Sequence, residues 1–252
     1  MDRDTARALS AINRRFYTER AAEFSATRNA AWAGWARLAE LLETEALPDA
    51  PRVLDVGCGN ARFGRYLAQI RPRLRYAGLD SSAALLAIAR DTGGLGPTPD
   101  FLQVDLVDDD LAAALGTRRF DLAACFGLIH HVPGRAQRRT LLSTLLASLA
   151  PDGLLVLTCW RLARFARFRD RIVPWEAWNA HEARPIDPAR LEPGDHLLAY
   201  GHEAGVRYVH FTHENETPEL LAELDCETVD IWTADGQDGD KNRYFVVRPN
   251  RI

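Results

Sequence analysis

Lysine is almost missing: Lys241 is the only one among 252 residues, and every other basic side chain is arginine, a bias that fits a GC-rich genome better than a function. An excess of positive charge is missing too. The 31 Lys and Arg stand against 35 Asp and Glu, for a formal net charge of -4. That balance argues against a strongly basic nucleic-acid-binding surface. No apolar run approaches the ~18 residues of a membrane span, and Met1-Asp2-Arg3-Asp4 lacks the apolar region of a secretory signal. A cytoplasmic protein without membrane attachment is therefore expected. The cysteines, Cys58, Cys125, Cys159 and Cys226, are far apart and form no C-x-x-C pair. Neither a disulfide framework nor a metal site is expected from them, and they read as buried reduced thiols. Internal repeats and low-complexity segments are also absent.

What is present is an ordinary globular mixture, 47% hydrophobic and 26% charged. Its length suits a single large domain over residues 1–252. Residues 5–45 carry Ala, Leu and aromatic residues at helical spacing, giving an N-terminal helical segment over 1–48 that Pro48 and Pro51 end. From Val53 to Cys159 short apolar runs alternate with helical stretches. Predicted strands cover 53–56, 74–79, 101–104, 120–126 and 154–159. Predicted helices cover 61–70, 82–90, 108–115 and 135–149, and Pro151-Asp152-Gly153 is read as a turn. This rhythm implies right-handed βαβ units and a parallel sheet covered on both faces. The pattern weakens over 160–206, where Pro, Trp, His and Arg accumulate, as expected of an insert acting as a lid or partner surface. A helix near 217–224 follows, then strands 228–232 and 244–247 joined by a Gly-rich turn into an antiparallel hairpin.

Asp55-x-Gly57-x-Gly59 falls between a predicted strand and a predicted helix, the setting in which such a loop binds a ligand. Glycine lets the backbone turn tightly and leaves room for a ligand against it. Asp80 ends the next strand, where a carboxylate can accept both hydroxyls of a ribose, and Asp105 ends the third, in reach of an adenine edge. Each signal alone is weak. Together they mark the edge of an α/β sheet where ligands bind. A dinucleotide motif needs a small residue at position 62, and Arg62 is not one.

Asp-x-Gly-x-Gly with a leading acid resembles the class I S-adenosylmethionine-dependent methyltransferases. The resemblance implies a Rossmann-like, mostly parallel seven-stranded sheet with an antiparallel last strand and helices on both faces. It also implies S-adenosylmethionine as cofactor, with the leading acid Asp55 binding the amino group of the methionine moiety. Gly57, Cys58, Gly59, Asn60, Asp80, Ser81, Asp105, Leu106 and Phe126 are the other cofactor residues implied in this stretch. Ala61 is a departure, since many members have glycine there.

Other segments are similar to a narrower group, the methyltransferases that esterify the carboxymethyl group on the wobble uridine of transfer RNA. These are Phe16-Tyr17, Phe24-Ser25-Ala26-Thr27-Arg28 with Trp32, Ile129-His130-His131, Val173-Pro174-Trp175, and Arg207-Tyr208-Val209-His210-Phe211. Asn242 also matches, but Arg243 and Val209 depart from the family pattern. This likeness implies that Tyr17 and Arg28 lie near the methionine carboxylate; the plain alternative is that they only tie the N-terminal helix down. The implied partners are tRNA and a small zinc-binding activator subunit, which the family's eukaryotic members need.

A carboxylate acceptor, with a pKa near ~4, needs no general base; it needs a cation and hydrogen-bond donors to aim it. Arg28, Arg207, Tyr208 and His210 are the residues of those types. An amine or phenol would instead call on His130 or His131, of which His131 is the chosen candidate. Arg207, Tyr208 and His210 read equally well as a structural polar cluster. Trp175 and Trp178 either stack on a base or pack the insert. The run Arg161, Arg164, Arg167, Arg169 and Arg171 is either a solvated face or a phosphate-contacting patch. The competing function is a small-molecule O- or N-methyltransferase with 160–206 as its lid. A non-enzymatic interaction protein is disfavoured by the intact acids and glycines.

Overall fold

Asp2 begins the first helix by accepting the Thr5 N–H at 2.9 Å, a side-chain cap that satisfies one of the free amide donors of the first turn. The computed structural model describes residues 1–28, 30–45, 47–96, 98–201 and 205–250. Its N-terminal part is α1 (Arg3–Glu19), α2 (Ala21–Ala26) and α3 (Gly34–Thr44). Leu9, Ile12 and Phe16, at spacings of three and four, form the buried face of α1.

Alternation then sets in: β1 (Arg52–Val56), α4 (Arg62–Ile70), β2 (Arg75–Asp80), α5 (Ala83–Thr92), β3 (Asp100–Gln103), α6 (Leu111–Leu115), β4 (Phe120–Cys125), α7 (Arg135–Ala147) and β5 (Leu149–Trp160). The insert holds α8 (Ala166–Arg169), β6 (Ile172–Val173), α9 (Trp175–Asn179), β7 (Asp195–Ala199) and β8 (Val206–His210). The chain closes with α10 (Glu216–Ala222), β9 (Cys226–Ala234) and β10 (Asn242–Pro249).

The main sheet has seven strands in the order β3-β2-β1-β4-β5-β10-β9. β1 to β5 pair in parallel, and β10 runs antiparallel to both of its neighbours. Strands covered on both faces read as continuous apolar runs rather than alternating ones, which is why all six residues of β4 are buried. Two apolar layers flank the sheet. One holds Leu38, Leu42, Phe63, Leu67 and Leu86 from α3, α4 and α5; the other holds Leu111, Leu141, Leu145 and Leu220 from α6, α7 and α10. The strand order reverses between β1 and β4, so a crevice opens above their carboxyl ends.

Three local expectations need correction. The helix predicted over 108–115 begins at Leu111, because Asp110 caps it through the Ala113 N–H at 3.1 Å. The predicted turn 151–153 lies inside β5: pairing with β4 jumps from Phe120–Leu149 to Leu122–Leu154, and the residues between bulge out. The insert is more ordered than its composition suggests. β6, β7 and β8 form a separate antiparallel sheet, whose Leu197 and Tyr208 pack with Ile186 on Leu9 and Ile12 of α1. Trp175 and Trp178 pack against that same cluster. Among the described residues no helix is long and apolar enough to cross a membrane.

Candidate functional site

One cavity opens above the carboxyl ends of β1, β2 and β4, closed on one side by α1. Its lining includes Tyr17, Arg28, Asp55, Gly57, Cys58, Gly59, Asn60, Asp80, Ser81, Asp105, Leu106 and Phe126, together with His131 and Arg207. Every residue predicted to hold the cofactor is thus brought to one place.

The floor is built by backbone. Gly57 and Gly59 take φ of +71° and +54°, a region open to glycine at no steric cost. The N–H groups of Gly57 and Cys58 both donate to the Leu79 carbonyl, at 2.7 and 2.9 Å, binding the loop to β2. A Cβ on Gly57 would lie 3.0 Å from Leu128, whereas one on Gly59 would meet open space. Ala61 follows with φ +58° at the start of α4. It accepts, at roughly 1–2 kcal/mol, the left-handed turn that glycine would take freely.

Asp80 continues this scaffold. Its Oδ2 accepts the Gly59 N–H at 2.8 Å and its Oδ1 the Ser82 N–H at 2.9 Å. Burial raises its pKa, against the pull of those amides. Ser82, not Ser81, caps α5, accepting the Leu85 N–H at 3.3 Å. Asp55 lies deeper. The Tyr76 hydroxyl donates to it at 2.7 Å, and burial pushes its pKa up to about 7. It has no ion-pair partner among the described residues. Asp105 lines the cavity but differs from expectation: Arg14 and Ser10 of α1 donate to its carboxylate, and it also accepts the Val107 N–H at 2.8 Å. The acid expected at an adenine edge is therefore engaged in tying α1 across the cavity.

Opposite the glycine loop, Tyr17, His131 and Arg207 meet. His131 Nδ1 lies 2.8 Å from the Tyr208 carbonyl, which can only accept, so Nδ1 carries the proton. Nε2, 3.0 Å from the Tyr17 hydroxyl, then accepts from it. Burial and the nearby Arg207 charge lower the imidazole pKa to about 3, so the ring is neutral. Arg207 donates to the Tyr17 oxygen at 3.4 Å. His130 is fully buried and stacks on Trp160 with centroids 4.2 Å apart. Of the two histidines, His131 is the one facing the cavity.

Tyr208 and His210, predicted beside Arg207 at the acceptor, lie elsewhere. Residues along a strand alternate between its faces, so Arg207 turns to the cavity and its neighbours turn away. The Tyr208 hydroxyl donates to Asp195 at 2.7 Å. His210 donates from Nδ1 to Asp195 at 2.8 Å and from Nε2 to Glu216 at 3.0 Å. Arg138 joins Glu192 and Glu216 at 2.7 and 2.8 Å. This is the structural polar cluster, and only Arg207 of that segment reaches the cavity. Sequence reasoning missed Ser10, Asn13, Trp32, Arg62 and Trp160 in the lining. Ser10, Asn13 and Tyr17 follow helical spacing on α1, a polar stripe beside the apolar one, and that signal was readable.

The arrangement suits S-adenosylmethionine. A buried carboxylate without a cation, such as Asp55, is matched by a ligand ammonium, and the open space over Gly59 admits a ligand against the backbone. The comparisons agree. Residues 54–155 match the family described as "Methyltransferase domain". A tRNA (carboxymethyluridine(34)-5-O)-methyltransferase of Arabidopsis thaliana is 31% identical over 146 residues, covering 58% of this chain and 32% of that protein. A dTDP-3-amino-3,6-dideoxy-alpha-D-glucopyranose N,N-dimethyltransferase of Streptomyces fradiae is 34% identical over 187 residues, 69% of this chain and 64% of that one. The chain thus spans under two thirds of each of these curated relatives. An S-adenosylmethionine-dependent methyltransferase of Clostridium acetobutylicum superposes with a TM-score of 0.61 at 12% identity, covering 88% of this chain and 93% of that one, a likeness of fold. By fold and crevice the chain has the architecture of the class I S-adenosylmethionine-dependent methyltransferases, its residues 54–155 match a methyltransferase domain, and it resembles the tRNA carboxymethyluridine family.

Proposed function

We propose that the enzyme methylates a carboxylate oxygen, with the carboxymethyl group of a tRNA wobble uridine as its acceptor. One observation carries the reading: among the described residues, the acceptor side offers unneutralised cations and no free base. Arg28 and Arg207 line the cavity without an ion-pair partner among the described residues. His131, the base an amine or phenol would need, is neutral and already accepts the Tyr17 hydroxyl. S-adenosylmethionine, when bound, supplies an electrophilic methyl group on its sulfonium. The chain's own part is to position: Asp55 holds the ammonium, Asp80 the ribose hydroxyls, and Arg28 and Arg207 aim the acceptor carboxylate. Such orientation is worth up to ~7–11 kcal/mol of barrier, and no proton has to be removed. Kinship with the Arabidopsis protein supports the RNA acceptor.

The likeness to the Streptomyces fradiae sugar enzyme supports a second reading, N-methylation of a small amine. Labelled S-adenosylmethionine, offered with tRNA lacking wobble-uridine esterification and with a panel of small acids, phenols and amino sugars, separates the two. Label in RNA that mild alkali removes is an ester and supports the first reading. Label only in small molecules moves the function to the second.

Two further outcomes are expected. Arg28→Ala lowers kcat/KM by roughly 10–100-fold, the value of a charge-assisted hydrogen bond, and His131→Ala lowers it less; the opposite order would mean an acceptor that must lose a proton. S-adenosylhomocysteine affinity, followed by calorimetry, rises between pH 6 and 8, a window set by the Asp55 pKa of about 7. The sign follows from the raised value: below 7 the acid is protonated, and the ligand ammonium must displace that proton to bind. Asp55→Asn should flatten the profile, and a wild-type affinity constant across this range would remove Asp55 from the ammonium site.

A further inference from the structure

We propose that Lys241 belongs to the acceptor site, where it closes an oxyanion clamp with Arg207 and the indole N–H of Trp160. This rests on the reading that the acceptor is anionic, and names a residue for it that no family motif above includes.

Trp160 ends β5 and is paired with Asn242 at the start of β10, so the residue before Asn242 comes up beside the indole. The Lys241 ammonium lies 4.8 Å from the Trp160 ring centroid, and the Arg207 guanidinium carbon 5.4 Å from it. Trp160 lines the cavity. Its Nε1 is buried without a partner and lies 3.6 Å from where a Cβ on Gly127 would stand, in the same lining. Arg207 is only 4% exposed. Its Nε has no partner, and its surroundings are aromatic: Phe16, Trp160 and Tyr200.

Among the described residues no carboxylate pairs with this group. Neither cation has an ion pair among the described residues. Asp240, next to Lys241 in sequence, faces Arg161 and Arg164 at 3.6 Å. Asp235 accepts from Gly34, Asn242 and Tyr244. Burial and the charges of Arg28, Arg167 and Arg207 push the Lys241 pKa down to about 8, with only Asp235 pulling it up. A buried and a partly buried cation beside one indole with an unmet N–H donor are the chemistry of a carboxylate or phosphate oxygen site.

The single lysine makes the test direct, since lysine labelled with 13C at Cε gives one resonance. In the free protein it should titrate near 8. Acetate and inorganic phosphate, in separate arms, identify which oxyanion is bound; saturation by it should raise that pKa by about one unit, a tenfold preference for the charged amine. Arg207→Met should abolish the rise. Lys241→Gln should raise the KM for an anionic acceptor about tenfold, with kcat little changed and S-adenosylhomocysteine affinity intact. Titration at the ordinary lysine value, or no response to either anion, overturns the clamp. The two readings fail separately. Methylation of carboxymethyluridine with a silent Lys241 sinks the clamp alone; methylation only of neutral acceptors, with Lys241 responding to acetate or phosphate, sinks the carboxylate reading alone.

Discussion

Asp80→Ala is expected to weaken S-adenosylhomocysteine binding by roughly 30–1000-fold. The Asp80 carboxylate holds the cofactor loop from below, taking the Gly59 N–H on one oxygen and the Ser82 N–H on the other. Truncation leaves two amides unpaired beside a cavity, each at ~1–3 kcal/mol; on the order of 2–4 kcal/mol in total corresponds to that range of affinity. Part of the loss should appear as a lower melting temperature of the free protein, because this side chain joins the loop to the start of α5. Asp80→Asn keeps one acceptor but presents a donor to the second amide, so it should fall between wild type and alanine. Calorimetry on all three proteins decides the matter. If Asp80→Ala binds within about threefold of wild type, the loop holds its own shape and the ribose contact assigned to Asp80 is wrong.

The reason so much of this half of the site was readable lies in locality. Asp55, Gly57, Gly59, Asp80 and Asp105 each end a strand or follow one directly, so identifying the strand fixes the position of the side chain at the sheet's edge. Strands buried on both faces are easy to identify because they are uniformly apolar. The acceptor side was less legible because it depends on contacts distant in sequence. Nothing local says that Arg14 will reach Asp105, 91 positions away, or that Tyr17 will meet His131, 114 away. The segment 207–210 failed for a different reason. The sequence leaves it open between acceptor residues and a structural polar cluster, whereas a strand sends Arg207 and Tyr208 to opposite faces, so each reading holds for part of it. Had it been recognised as a strand, the alternation would have divided it. The insert hid that strand, since its partner β7 and the strand β6 beyond it are short and lie between segments rich in proline and arginine.

The polar cluster behind β8 supports the second large effect: Arg138→Met should cost ~3–5 kcal/mol of stability, the usual result of stripping the counter-charge from a buried ion pair. For a chain of this size that is on the order of 10 °C in melting temperature. Arg138 is 2% exposed and joins Glu192 to Glu216, so its loss leaves carboxylates facing each other across the junction of the insert with α7 and α10. The pH dependence has a definite sign. Burial opposes the charge of His210, but its hydrogen bonds to Asp195 and Glu216 outweigh that and raise its pKa. Its contribution is complete below the unfolded value of about 6.5 and is lost as pH climbs through the raised folded value. Burial likewise opposes the Glu216 carboxylate, and His210 and Arg138 prevail, holding it at about 2; its contribution is present above the unfolded value and lost as pH falls toward 2. The cluster should therefore stabilise most between roughly pH 4.5 and 6.5, and Arg138→Met should lower that maximum chiefly on its acid side, where Glu216 loses a counter-charge, while His210 loses a repelling one. Because β8 also carries Arg207, a loosened cluster should raise the acceptor KM while largely sparing S-adenosylhomocysteine affinity, whose carboxylates Asp55 and Asp80 sit on β1 and β2. Equal losses in both would mean that the insert and the cofactor half unfold together, with Arg138 serving the fold as a whole rather than the aim of Arg207.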